Sequence, residues 1–174
     1  MKAYPLSLRI RAARAFAAGR MQRICRPAGG MLQNVASGDL LWIREPFRMR
    51  KKFNGMAPTA ADRLGARAFF AADLNAALVD AEQLGTEHPA RSLPKTWHRH
   101  HAIVSEIKRA PLQEVQTVAA KAEGFTLLES WAKEWDNSQK AFGRTDLLLA
   151  KNPTVQIITF SRVALPLPDM QVPM

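Results

Sequence analysis

The apolar residues of this chain come in short runs broken by turn residues, and this spacing limits what the chain can fold into. A run that follows Gly38-Asp39 is apolar at every position, which is typical of a strand covered on both faces. Other runs alternate as strands or repeat with a helical period. The predicted strands are 21–26, 40–43, 68–70, 101–107 and 155–163, and the predicted helices are 8–18, 112–122 and 125–135. This order favours an α+β fold that contains a small β-barrel with flanking helices.

The length fits one domain with a core, since the chain has 174 residues of which 47% are hydrophobic. Within a single domain spanning 1–174 we expect a loop-rich insertion at about 46–94 and an irregular, proline-broken tail at 164–174. No apolar run approaches the roughly 20 residues of a membrane helix. Cys25 is the one cysteine, so no intrachain disulfide can form, which favours a reducing, cytoplasmic setting. We expect no cofactor.

The positive charge is confined to the first third of the chain. Residues 1–52 hold twelve lysines and arginines against two acids, whereas bases and acids balance in the remainder, so this segment carries the whole net charge of +10. The stretch GRMQRICRP places Arg20, Arg23 and Arg26 within nine residues. Such segregation indicates a polyanionic partner. Two alternatives stay open: a solvated basic face, or an amphipathic, arginine-rich transit peptide in residues 1–26.

Five segments in order give the chain a resemblance to a known family. They are PLSLRIRAARAFAAGRMQRICR, SGDLLWIREPF, LPKTWHRHHAIVSEIKR, AAKAEGFTLLESW and VQIITFSRV. Together they span most of the chain, and in this order they resemble the ASCH-domain proteins, a branch of the PUA-like β-barrels that handle RNA. The arrangement of RE after one strand and PKxW before the next is similar to a bacterial and phage-derived subgroup. The resemblance implies a PUA-like barrel and an RNA or nucleotide ligand.

The family's opening motif, G-x-K-x-x-T-x-R, falls on Gly19, Met21, Ile24 and Arg26. In members that hydrolyse N4-acetylcytidine, the lysine and threonine act with a glutamate, whose position corresponds to Glu123. Methionine cannot donate a proton and isoleucine has no hydroxyl, so hydrolysis by this route is not expected. Glu123 is the only catalytic candidate. Substitution of the missing lysine by Lys95 or Lys51 stays open.

A binding surface is the remaining interpretation of the resembling segments. The candidate nucleic-acid-binding residues are Arg20, Arg23, Arg26, Arg44, Glu45, Lys95, Trp97 and Arg99. Arginines match phosphate oxygens, and an aromatic flanked by bases suits an unstacked nucleobase. Two alternatives are weighed here: Arg44 and Glu45 form a plain ion pair, and Trp97 packs beside the barrel.

Three further residue types are assigned structural roles. Trp42, Trp131 and Trp135 are predicted to pack in the core. His98 and His100 are predicted to share a strand face without a third ligand, so no metal site is expected. Neighbouring arginines can lower the pKa of Cys25, but without an adjacent base or thiol we interpret it as structural.

Three functions follow from these observations and are kept apart. The first is an RNA- or nucleotide-binding module without chemistry, acting through the basic segment and a pocket at the barrel mouth. The second is a hydrolase or ribonuclease acting on RNA or a modified nucleoside. The third is a protein-interaction adaptor whose basic face meets an acidic partner. The ligand's sequence preference and the oligomeric state are not set by any of these patterns.

Overall fold

A computed structural model of the chain describes residues 1–73 and 83–164. In this part the fold is mixed, with eight strands in two sheets and four α-helices. The strands are β1 (Ala3–Ser7), β2 (Arg23–Pro27), β3 (Leu40–Arg44), β4 (Phe47–Arg50), β5 (Phe69–Phe70), β6 (Leu84–His88), β7 (His101–Pro111) and β8 (Thr154–Val163). The helices are α1 (Ile10–Ala17), α2 (Pro58–Arg63), α3 (Leu112–Ala122) and α4 (Leu128–Ala141). The tail expected to be irregular lies almost entirely outside the described residues.

The larger sheet has five strands in the order β1-β3-β7-β8-β2. The β1–β3 pair is parallel and the other pairs are antiparallel. The strands predicted at 21–26, 40–43, 101–107 and 155–163 are therefore confirmed and share this sheet. The mixture of helices and strands confirms the α and β composition. Among the described residues no ladder joins β1 to β2, so closure of the sheet into a barrel is not confirmed.

Helix α1 carries the chain from β1 at one edge of the sheet to β2 at the other. Ala12, Ala13, Ala15 and Phe16 are buried in an apolar cluster on this helix, which we call the inner core, and the Phe16 ring lies 5.8 Å from the Phe160 ring. The helix ends before Gly19, whose φ of +70° suits glycine and confirms the predicted stop. The basic N-terminal segment is thus an integral part of this sheet and core, not a detached helix as the transit-peptide alternative required.

A second core lies on the other face of β2 and β8, under α3 and α4. It contains Cys25, Val155 and two tryptophans of α4, Trp131 and Trp135, whose rings lie 5.6 Å apart. The expected packing role of these two tryptophans is confirmed. Helix α4 begins three residues later than the predicted start at Phe125, because Phe125 belongs to the turn after α3 and is itself buried there.

The smaller sheet, in the order β5-β4-β6, lies within the segment that the sequence indicated as a loop-rich insertion at about 46–94. Phe47 and Met49 are buried while Arg48 and Arg50 point outward, so the segment alternates as a strand. The alternation was not recognised in the sequence because its outward positions are arginines and Pro46 directly precedes it. Strand β1 was missed for a related reason: it contains Pro5, which is tolerated because β1 lies at the edge of the larger sheet.

An ion-pair network around one buried carboxylate connects the two sheets. Glu45, which is only 1% exposed, lies between β3 and β4, and the Arg99 guanidinium donates to both its carboxylate oxygens, from Nε at 3.1 Å and Nη2 at 3.0 Å. Arg99 also pairs with Asp73, just after β5, and lies 4.0 Å over the Phe70 ring. The partner of Glu45 is thus Arg99, and not Arg44 as in the ion-pair alternative. One guanidinium therefore ties the β3–β4 junction to the segment before β7.

Replacing Arg99 with methionine is expected to lower the free energy of unfolding by about 3–5 kcal/mol, because it leaves the buried Glu45 carboxylate without its partner. Urea denaturation measures the change. Arg9→Met is the matched control, because the Arg9–Glu134 pair is exposed, and it is expected to cost less than about 1 kcal/mol. Equal losses in the two variants would contradict the structural role of the buried pair.

Candidate nucleic-acid interface

Three exposed arginines lie where α1 turns into β2 beside the end of β8. Arg20 and Arg23 flank the start of β2, and Arg162 of β8 donates to the Ala17 carbonyl at 2.7 Å. The antiparallel register of β2 and β8 brings residue 20 opposite residue 162, since the Phe160 amide bonds the Gln22 carbonyl at 2.9 Å. We call Arg20, Arg23 and Arg162 the arginine surface. Within residues 1–73 and 83–164, no carboxylate lies within 4 Å of their guanidinium groups.

A cleft of about 210 Å³ adjoins this surface between β2, β7, β8 and α3. Arg23, Lys108 and Thr159 supply polar groups, and Val115 and Val118 of α3 supply an apolar wall. Glu106 also lines the cleft and holds Lys108 at 2.9 Å, so its carboxylate is neutralised locally. The cleft therefore offers Arg23, which has no carboxylate partner in the described part of the chain, next to an apolar wall, and this combination suits the phosphate and the ring of a nucleotide.

Arg26 is less available than the other two arginines of the GRMQRICRP stretch. Its guanidinium donates to the Cys25 carbonyl at 2.8 Å and lies 3.8 Å from the Glu123 carboxylate. Glu123 in turn accepts the Cys25 amide at 3.2 Å. Burial raises the pKa of Glu123, against the opposing effect of Arg26. These contacts fasten the end of α3 to β2, and a phosphate contact from Arg26 stays a prediction.

Met21 and Ile24, at the motif positions of the family's lysine and threonine, are packed in the inner core. They are 3% and 0% exposed and belong to the same apolar cluster as Phe16. Apolar side chains in these positions stabilise the contact between α1 and β2 and leave Glu123 without a proton donor or nucleophile from the motif. Lys95 and Lys51, the alternative lysines, are both exposed.

Trp42 is half-exposed, which corrects its predicted place in the core. Its neighbour Ile43 is fully buried, while the Arg44 guanidinium lies 4.2 Å over the Trp42 ring. Arg44 also donates to the Arg91 carbonyl at 3.3 Å. The alternation of β3 thus turns Trp42 to the outer face, where a cation covers it instead of apolar side chains. The sequence LLWI is apolar at every position and does not indicate that the Arg44 guanidinium stacks on the Trp42 ring.

The remaining predicted binding residues divide into engaged and exposed ones. Glu45 and Arg99 are held in the buried network and do not face solvent as a pair. Trp97 is half-buried: its indole N–H donates to Asp62 at 2.6 Å and its ring lies edge-on to Phe47 at 5.7 Å. Lys95 is exposed. The packing alternative for Trp97 matches these contacts, and a stacking role stays a prediction.

The histidines form a different arrangement from the predicted one. Strand β7 begins at His101, so His98 and His100 do not share a strand face. Instead, His98 and His101 approach with their Nε2 atoms 2.7 Å apart and their rings 4.6 Å apart. One imidazole must donate and the other accept, so the two rings cannot both be protonated in this contact. Among the described residues no group of three or more His, Cys, Asp or Glu side chains could hold a metal ion.

Cys25 is buried, and its thiol behaves as a core group. Burial and the nearby Glu123 carboxylate raise its pKa to about 12, and the opposing effect of Arg26 is smaller. Arg26 does lower this pKa, as the sequence suggested, but burial outweighs it because β2 turns Cys25 toward α3 and away from solvent. Its assignment as a structural residue is consistent with this position.

Comparisons with known proteins give only a weak likeness. No protein-family model matches the chain, and no curated protein matches it. A solved structure of the hypothetical protein PH0355 is 10% identical with a TM-score of 0.48, covering 94% of this chain and 100% of that one. The protein EF3133 from Enterococcus faecalis V583, described with the family model DUF984, is 12% identical with a TM-score of 0.48, covering 92% and 75%. At these scores the likeness carries no conclusion about this chain.

None of the helices in the described part of the chain combines the length and apolar character needed to cross a membrane.

Arg162, which belongs to the arginine surface, was not among the residues selected from the sequence. Its signal was weak because it lies in VQIITFSRV, about 140 residues from Arg20, and only the β2–β8 register brings the two together.

The His98–His101 pair is expected to make the protein less stable in mild acid. Burial, and to a smaller degree the neighbouring His98 and His100, lowers the pKa of His101 from the usual 6.5 to about 4, so the unfolded chain takes up a proton that the folded one does not. Stability is therefore complete above the unfolded pKa and is lost as the pH falls toward the folded one. Between about pH 7 and about pH 5 the loss from this residue is about 1–2 kcal/mol.

Urea denaturation at several pH values, followed by tryptophan fluorescence, measures this loss. His101→Gln removes the titrating group and is expected to flatten the pH dependence. His88→Gln, on β6, is the matched control and is expected to retain it. A wild-type slope that His101→Gln leaves unchanged would show that other groups cause the acid sensitivity.

Proposed function

We propose that this protein is an RNA- or nucleotide-binding module of the ASCH type, with a PUA-like architecture and no catalytic chemistry of its own. The observation that carries the proposal is the arginine surface beside the β2–α3 cleft. Arg20 and Arg23 are exposed there without a carboxylate within 4 Å in the described part of the chain. A protein does not gain stability by holding unpaired like charges near each other, so a polyanionic ligand is the better explanation.

The chemistry of these groups suits phosphates. Guanidinium forks present parallel N–H donors that match two phosphate oxygens, and they stay charged at any pH the protein meets. Arg162 enlarges the surface from the opposite strand, and its own contact to Ala17 fixes its position. The adjoining cleft supplies an apolar wall for a base or ribose. Binding through phosphates predicts affinity without strong sequence preference.

The same view explains the distribution of charge along the sequence. Residues 1–52 carry the whole excess of positive charge, and in the fold this segment supplies both edges of the larger sheet. Arginines that structure the domain, such as Arg26 and Arg99, already have carboxylate partners. The excess is therefore concentrated in side chains that a ligand can still reach.

Single-stranded RNA binding measured over a range of salt concentrations tests the proposal. The wild type is expected to lose affinity linearly on a log–log plot. Arg20→Ala/Arg23→Ala is expected to weaken binding and flatten the slope by about 1.4, since each phosphate contact contributes about 0.7 for single strands. Lys140→Ala/Arg144→Ala, at the exposed end of α4, removes the same charge and is expected to leave both unchanged. Equal effects of the two double variants would reduce the arginine surface to a solvated face.

Activity and binding assays on the same protein preparations test the two alternative functions. Release of cytidine from N4-acetylcytidine, or of fragments from labelled RNA, that disappears in Glu123→Gln would assign the hydrolase or ribonuclease class. Glu123 is the relevant position because its pKa is raised by burial, as in a general acid, but it lacks motif partners. Failure to bind RNA together with salt-sensitive binding of an acidic peptide would assign the adaptor class.

A further inference from the structure

A second basic cleft lies on the smaller sheet, beside the end of the central strand β4 and the edge strand β5. It measures about 490 Å³, more than twice the cleft beside Arg23. The side chains and backbone that line it come from the end of β4, the 3-10 turn after it, and the segment that leads from α2 into β5. The lining residues are Arg50, Lys52, Phe53, Gly65, Ala66, Arg67, Ala68 and Phe69. None of them is acidic.

The three cations of this cleft are available for a ligand. Arg50, Lys52 and Arg67 are exposed, and none has a carboxylate within 4 Å in residues 1–73 and 83–164. The nearest outward arginine on the same strand, Arg48, differs because Glu87 of β6 lies 3.9 Å from it. Charge on this strand is thus compensated at one end and uncompensated at the end that opens into the cleft.

Two aromatic rings line the same cleft. Phe53 is buried beneath it, with the Lys52 ammonium 4.9 Å from its centroid. Phe69 is half-exposed on β5, an edge strand of the smaller sheet, so part of its ring faces the opening. Proteins that bind single-stranded nucleic acids combine cations with a partly exposed aromatic ring, because the cations contact phosphates and a base stacks on the ring.

We propose that this cleft is a second nucleotide site, in which Arg50, Lys52 and Arg67 contact phosphates of a single-stranded nucleic acid and Phe69 stacks on a base. The inference rests on the proposed function and adds an aromatic ring on which a base can stack, since the described lining of the cleft beside Arg23 offers only an aliphatic wall. The two sites lie on different sheets, so a strand that occupies both must run along the protein. Longer oligonucleotides therefore bind more tightly than short ones.

Variants at the cleft test the assignment by fluorescence polarisation with labelled oligouridylates of about 8 and about 16 nucleotides. Arg50→Ala/Arg67→Ala is expected to flatten the salt slope by about 1.4. Phe69→Leu keeps an apolar side chain but removes the ring, and is expected to weaken binding between about 5- and about 150-fold with the slope nearly unchanged. Lys140→Ala/Arg144→Ala again serves as the charge-matched control. Lys52→Ala provides a variant outside the strands, in case a strand substitution impairs folding.

Backbone amide shifts in a titration of the wild type with uridine 5′-monophosphate separate the two proposals. Shifts at 65–69 support the cleft, whether or not residues 20–25 respond. Shifts confined to 20–25, with unchanged binding by Arg50→Ala/Arg67→Ala and Phe69→Leu, overturn the cleft and leave the proposed function standing. Shifts at 65–69 with a hexaglutamate peptide, but not with the nucleotide, also overturn it, because the cleft then recognises carboxylates without a base.

Discussion

The contact between Arg99 and the buried Glu45 carboxylate is the interaction on which the arrangement of the two sheets depends. Strand β3 belongs to the larger sheet and β4 to the smaller one, with only Glu45 and Pro46 between them. A carboxylate that is 1% exposed at such a junction requires a partner, because desolvating it alone would cost several kcal/mol. Arg99 supplies that partner and also pairs with Asp73, so the junction, the end of β5 and the approach to β7 are fixed by one guanidinium.

Two groups of arginines in this protein have different physical roles, according to whether a carboxylate lies close to them. Arg99, Arg26 and Arg48 each lie within 4 Å of a carboxylate, and their charge is used to hold elements together. The arginine surface and the cations of the second cleft have no such partner in the described part of the chain. Counting basic residues in the sequence mixes the two groups. Only the positions of the acids in the fold distinguish a structural arginine from one that can bind phosphate.

Much of the larger sheet could be predicted from the sequence, and the smaller sheet could not. Strands such as Leu40–Arg44 and Thr154–Val163 can be recognised in the sequence because their apolar and β-branched side chains face cores. The outward positions of β4 are arginines, so its short alternation resembles a polar loop. The candidate site follows the same pattern. Arg20 and Arg23 are recognisable by local density of charge, whereas Arg162 and the partners of Glu45 depend on contacts between residues far apart in the sequence.

The packing of Met21 and Ile24 bears on why a binding surface is the better functional interpretation. Met21 lies between α1 and β2 and Ile24 lies in β2, and each buried residue directly follows an exposed arginine, Arg20 or Arg23. A lysine and a threonine in those places would have to bring a charge and a hydroxyl into an apolar core, which is favourable only where a site pairs them. In this chain the two positions contribute to stability instead. The turn they anchor presents arginines to solvent in a fixed geometry, and preorganised cations of this kind favour phosphate binding without any reactive group.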